Sequence, residues 1–132
     1  MAKIIVVDDS ADLLLLISII IKMAGHESIS LTSPVELMQK LDEYRPDLII
    51  IDVNLGYYNG KEVCKNIKAS PMGKNIPVLL TSASAESMAD FRDFDADDIL
   101  EKPFELSVIT TKIFALLNKV KVNSQCPIVN SH

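Results

Sequence analysis

Short apolar runs, most of them rich in β-branched residues, recur along the chain at residues 4–7, 29–31, 48–51, 78–80 and 99–100. Each has the length of a strand, and most lack the polar alternation of a sheet with one face in water. Between them, apolar residues recur three and four apart, as in Val35, Leu37, Met38 and Leu41, or Val108, Ile109, Ile113, Leu116 and Leu117. That spacing predicts amphipathic helices. Strand and helix alternating at this interval predict right-handed βαβ units and a parallel sheet covered on both faces. The expected fold class is α/β, doubly wound.

Turn and cap residues agree with these divisions. Ser10, Ser33-Pro34, Asn59-Gly60 and Ser84 precede helical stretches, whereas Gly25, Pro46 and Pro77 follow or separate them. The pattern stops after Val122, so the domain is expected over residues 1–122, with 123–132 a disordered tail or linker remnant. The first helix is unusually apolar. A helical wheel places Leu13, Leu16, Ile17, Ile20 and Ala24 against the sheet and leaves Leu14, Leu15 and Ile19 facing outward, a candidate surface for a partner protein or a second copy.

Composition narrows the class further. At 132 residues the chain has the size of one domain and can bury roughly two-thirds of its unfolded surface. With 48% hydrophobic and 23% charged residues, disordered, collagen-like and coiled-coil readings lose ground. Eighteen acidic against thirteen basic residues give a net charge of −5 with no basic cluster, so direct nucleic-acid binding is not expected. Two cysteines, Cys64 and Cys126, are too few for a disulfide scaffold, and the start of the chain lacks a signal-peptide pattern. A cytoplasmic protein with reduced thiols is expected. The longest apolar stretch, residues 13–21, is broken by Ser18 and falls short of the ~20 residues of a membrane span, so no membrane insertion is expected.

The candidate chemistry lies at the strand ends, where open α/β sheets bind their ligands. Asp8 and Asp9 close the first run and Asp52 the third; in a sheet of order 2-1-3-4-5 these carboxylates share one mouth. Oxygen-only ligands suit a hard cation, Mg²⁺ or Mn²⁺, rather than Zn²⁺. The fourth run brings Thr81-Ser82 to the same edge and the fifth brings Lys102-Pro103. A carboxylate nucleophile, a cation, an ammonium and a hydroxyl are what phosphoryl transfer to an aspartate needs.

These residues resemble, over residues 2–122, the receiver domain of two-component response regulators. Asp8-Asp9 is similar to that family's acidic pair, Asp52 to its phosphoacceptor, Ser82 to its Ser/Thr and Lys102-Pro103 to its Lys-Pro. Ser82 is favoured over Thr81 because it lies five residues after Pro77 and precedes the small Ala83. The resemblance implies a flavodoxin-like, five-stranded parallel sheet in the order 2-1-3-4-5, with helices on both faces. It also implies Mg²⁺ (or Mn²⁺) held by Asp8, Asp9, Asp52 and the backbone carbonyl of Asn54, a helix opening at Gly60, and a cis Lys102–Pro103 bond. The implied partners are a sensor histidine kinase or histidine phosphotransfer protein docking on the first helix, and a downstream protein effector or a homodimer mate. Such a domain is a phosphoacceptor switch that assists its own phosphorylation and dephosphorylation, not an enzyme acting on a substrate. Phosphorylation is expected to shift the face made by the fourth helix, fifth strand and fifth helix.

Two positions depart from the family pattern. Ile99, three before Lys102, stands where many receivers carry an aromatic rotamer switch, and Gly56 stands where the loop after the aspartate commonly has proline. A phosphatase working through an aspartyl phosphate would need a second acid at Asn54 and a substrate cap. A binding module that is never phosphorylated finds encouragement only in Ile99.

Overall fold

Five parallel strands occupy the centre of the computed structural model, which describes the backbone of residues 1–129 and the side chains of residues 1–119. They are β1 (Lys3–Val7), β2 (Glu27–Leu31), β3 (Leu48–Asp52), β4 (Val78–Ser82) and β5 (Asp98–Glu101), in the order β2-β1-β3-β4-β5. The expected order 2-1-3-4-5 is therefore the observed one. A separate pair of two-residue strands, Asn54–Leu55 and Tyr58–Asn59, closes the loop after β3. Gly56 has φ of 72° at the first of its two turn residues, a conformation glycine adopts without a side-chain penalty.

Alternation along each strand divides the core into two layers. Ile5, Val7, Ile49, Ile51, Val78 and Leu80 face one side, where α2 (Leu37–Tyr44) and α3 (Gly60–Ala69) add Leu37, Leu41, Cys64 and Ile67. Ile4, Val6, Leu48, Ile50, Leu79 and Leu100 face the other, where α1 (Ala11–Met23) and α4 (Leu106–Val129) add Leu14, Ile17, Ile21, Ile109 and Ile113. Both faces of the three inner strands β1, β3 and β4 are dry, which accounts for their apolar runs, whereas the edge strands β2 and β5 carry polar and partly exposed residues. In the helical patterns, Leu37, Leu41, Ile109, Ile113 and Leu116 are buried, whereas Val35, Met38 and Val108 remain exposed. Caps begin the helices where the sequence placed them: Ser10 Oγ accepts from Leu13 N at 3.2 Å and Asn59 Oδ1 from Lys61 N at 2.9 Å.

The structure corrects two expectations and extends a third. In α1 the sheet-facing line is Leu14, Ile17, Ile20 and Ile21, with Leu13 half-buried; Leu16 and Ala24 face outward and Leu14 inward, the reverse of the wheel. Residues 13–21 are apolar at every position but Ser18, so periodicity does not choose a face. Between β4 and β5, the expected fourth helix is replaced by two 3₁₀ turns, Glu86–Met88 and Phe91–Phe94. Neither turn has a side-chain N-cap bond, and Asp95 leaves the second in a left-handed φ of 64°. Lysines of α3 grip this segment: Lys61 Nζ lies 3.1 Å from Asp90, Lys65 Nζ 3.5 Å from the Asp93 carbonyl and Lys68 Nζ 2.8 Å from Asp97. Helix α4 runs past Val122, where the apolar pattern ends, so the tail assigned to residues 123–132 begins within a continuous helical backbone; residues 130–132 lie outside the described residues.

The start of α3 is pressed against the end of β3. The amide of Gly60 donates to the Val53 carbonyl at 2.7 Å, and a Cβ on Gly60 would overlap the Asp52 carbonyl oxygen and stand 2.9 Å from Val53 Cα. No flexible side chain is available there to yield. Gly60→Ala is expected to lower unfolding free energy by about 2 kcal/mol or more in urea melts, by forced displacement of the β3 terminus. A variant within experimental error of wild type would show that the contact imposes no constraint.

Candidate functional site

The parallel ladders end together, and the polar residues follow. The amide of Asp8 donates to Leu31 O at 3.1 Å, that of Val53 to Thr81 O at 2.9 Å and that of Lys102 to Ser82 O at 2.8 Å. Each ladder bond extends a strand by one step and so aims the next side chain at the same mouth. Asp8 is 2% exposed; its Oδ1 accepts from Ser10 N at 2.9 Å and its Oδ2 from Lys102 Nζ at 2.7 Å. Asp52, 6% exposed, places Oδ2 at 3.4 Å from the same ammonium. Asp9 is exposed, and carboxylate oxygens of Asp8, Asp9 and Asp52 all lie within 4.8 Å of one another. The Lys102–Pro103 peptide is cis.

The other wall comes from β4 and the segment after it. A cavity of about 350 Å³ is lined by Asp52, Asn54, Ser82, Ser84, Ser87 and Lys102, among others. Of the two neighbours, Ser82 lines this cavity and Thr81 does not. All six sequence-nominated residues therefore meet at one mouth: Asp8, Asp9 and Asp52 in the acidic cluster, and Asn54, Ser82 and Lys102 around the cavity. Ser87 was not foreseen. Its Oγ lies 2.9 Å from Ser82 Oγ, and the only sequence trace of it is a run of serines, Ser82, Ser84 and Ser87, among small residues beyond a strand end.

Charge in the cluster is unbalanced. Burial pushes the Asp52 carboxyl above its ordinary range; Lys102 and the Asn54 amide oppose this, while Asp8 adds to it. One ammonium faces three carboxylates, two of them buried, which leaves two negative charges in an oxygen-only set. That deficit and that donor chemistry fit a divalent hard cation. Cys64, fully buried under α3, has its thiol pushed up to about 12 by burial and is inert as a nucleophile at neutral pH.

A carboxyl whose pKa is higher folded than unfolded favours the fold at low pH and loses that contribution as pH rises through the folded value. Asp52→Asn is therefore expected to melt higher than wild type at pH 7 in metal-free buffer, by on the order of 1 kcal/mol. The advantage should vanish below about pH 4, the range of an unfolded aspartate. Scanning calorimetry at the two pH values checks it, and a variant less stable at pH 7 would contradict the charge imbalance.

Residues 4–114 match the family model described as the response regulator receiver domain. The alkaline phosphatase synthesis transcriptional regulatory protein PhoP of Bacillus subtilis is 29% identical over 122 residues, covering 91% of this chain and 50% of its own length. The DNA-binding dual master transcriptional regulator RpaA of Synechocystis is 30% identical over 121 residues, covering 90% of this chain and 50% of its own. This chain thus spans about half the length of the curated relatives it matches. Among solved structures, the chemotaxis protein CheY4 of Vibrio cholerae superposes with a TM-score of 0.81 at 28% identity, covering 88% of this chain and 98% of its own. With the sheet order, the acidic mouth and the family match in agreement, the chain belongs to the response regulator receiver domain family of two-component signalling.

Proposed function

We propose that this receiver takes a phosphoryl group onto the Asp52 carboxylate from a phosphohistidine of a sensor kinase or phosphotransfer protein, and thereby switches a protein-interaction surface. The observation that carries the reading is the meeting of a buried carboxylate, an ammonium and a hydroxyl around one cavity beside an acidic pair. An Asp52 oxygen attacks phosphorus as its bond to the histidine nitrogen breaks, and the imidazole leaves with the electron pair. Lys102, released from part of its pairing with Asp8, stabilises one phosphoryl oxygen, and the Ser82 hydroxyl donates to another. A Mg²⁺ or Mn²⁺ ion held by Asp8, Asp9, Asp52 and the Asn54 carbonyl would supply the missing positive charge. Asp8 and Asp9 would bind that ion, and Lys102 keeps two buried carboxylates close together. Nothing in this scheme turns over a separate substrate, so the chain acts as a switch that assists its own modification, in the cytoplasm where such kinases present their phosphohistidines.

The partner surface follows from the corrected rotation of α1. Leu15, Leu16, Ile19 and Met23 are 63%, 49%, 48% and 74% exposed and form one apolar strip on a helix that begins beside Asp9. A strip of this kind, bordering the phosphoacceptor, suits an apolar helical partner that delivers the phosphoryl group. Among the described residues, no helix is long and apolar enough to cross a membrane.

Incubation with radiolabelled acetyl phosphate and Mg²⁺ tests the phosphoacceptor. Wild type should label and Asp52→Asn should lose at least 100-fold in incorporation; equal labelling of the two would reject Asp52. Chelation by EDTA should abolish labelling, and Asp8→Asn should weaken the Mg²⁺-induced rise in melting temperature so that about tenfold more metal is needed for the same shift.

A further inference from the structure

We propose that Ser87 is the positioning residue for Ser82: it holds the Ser82 hydroxyl in the unmodified protein and is released when that hydroxyl turns to the phosphoryl group. The inference rests on the reading of Asp52 as phosphoacceptor. Ser87 Oγ donates to the Ser84 carbonyl at 2.8 Å, and a hydroxyl has one proton. The contact of 2.9 Å between Ser87 Oγ and Ser82 Oγ is therefore satisfied with Ser82 as the donor. Ser82 Oγ in turn accepts from Ser84 N at 3.0 Å, so its single proton is committed to Ser87. A phosphoryl oxygen on Asp52 competes for that same proton. Once it wins, Ser87 loses the bond that ties its turn to the end of β4.

The consequence reaches beyond the cavity because Ser87 lies inside the 3₁₀ turn Glu86–Met88, whose Met88 is wholly buried in the core layer under α3. At the position of the aromatic coupling found in many receivers stands Ile99, which packs half-buried against that layer and has no hydroxyl or ring to follow Ser82. A hydrogen bond between serines five residues apart thus connects the phosphoryl site to the segment that replaces the fourth helix.

Beryllofluoride with Mg²⁺, a stand-in for the phosphoryl group, tests this by amide NMR. In wild type, the amides of Ser84, Ser87 and Met88 should shift together with that of Asp52. In Ser87→Ala the Ser82 proton loses the acceptor that holds it in the free protein, so beryllofluoride should bind about fivefold more tightly, the equivalent of one hydrogen bond. The Ser84 and Met88 amides of the free variant should already lie part of the way toward the bound position. Ser87→Thr, which restores the acceptor oxygen, should return both affinity and shifts to wild type. Binding that moves Asp52 while Ser84 and Met88 stay fixed would overturn the role of Ser87, as would wild-type or weaker affinity in Ser87→Ala. Failure of beryllofluoride to move Asp52 in wild type would instead overturn the phosphoacceptor reading, and the role of Ser87 with it.

Discussion

The ammonium of Lys102, shared between two carboxylates that are almost fully out of water, is the interaction on which the rest of the mouth depends. Asp8 and Asp52 come from adjacent parallel strands, and their mutual repulsion in a low-dielectric setting would drive those strand ends apart or force one carboxyl to protonate. Lys102 resolves part of that conflict, with the shorter contact to Asp8 and the longer to Asp52. The asymmetry has a chemical meaning. Asp52 is held more loosely, which the proposed transfer to its carboxylate needs, whereas Asp8 is held from both sides, by Lys102 on one oxygen and the Ser10 amide on the other.

Everything else about the fold serves to bring that lysine to that place. Lys102 follows β5, at the far side of β4 from Asp52, and reaches across because its amide continues the ladder to Ser82. Two dry layers hold the strands in register, so a polar site of several charges is tolerated at the one edge where the apolar alternation runs out. Gly60 belongs to the same logic, since the close passage of α3 over the end of β3 leaves the backbone around Asp52 no slack.

Much of this was legible in the sequence because strand ends are marked by a change in chemistry. A run such as Leu48-Ile49-Ile50-Ile51 followed by Asp52 locates both a strand and its mouth, and the doubly wound order then determines which mouths coincide. What was not legible had a different cause in each case. On α1, Ile17 and Ile20 face the sheet and Leu15 and Ile19 face outward as expected, but Leu14 and Leu16 exchange places and Ala24 is exposed, because a helix apolar on nearly every side carries little rotational information. Between Ser82 and Asp98 the chain forms two short turns without side-chain N-cap bonds and is contacted by lysines of α3, and tertiary contacts of this kind leave no periodic trace. Ser87 was invisible for a simpler reason: a serine announces neither its partner nor its proton.

The grip of α3 on that segment carries a consequence of its own. Lys61 and Lys65 sit 5.2 and 6.0 Å from the centre of the Phe94 ring, and with Lys68 they hold carboxylates and a carbonyl by charge as much as by apolar burial. Mobile ions screen exposed contacts such as Lys61–Asp90, and screen part-buried pairs such as Lys68–Asp97 much less. The segment after β4 is thus held in two ways: Met88 and Ala96 anchor it in the apolar core layer, and exposed charge contacts such as Lys61–Asp90 fix its outer side. Added salt therefore acts first on the outer side of that segment and leaves its buried anchor in place.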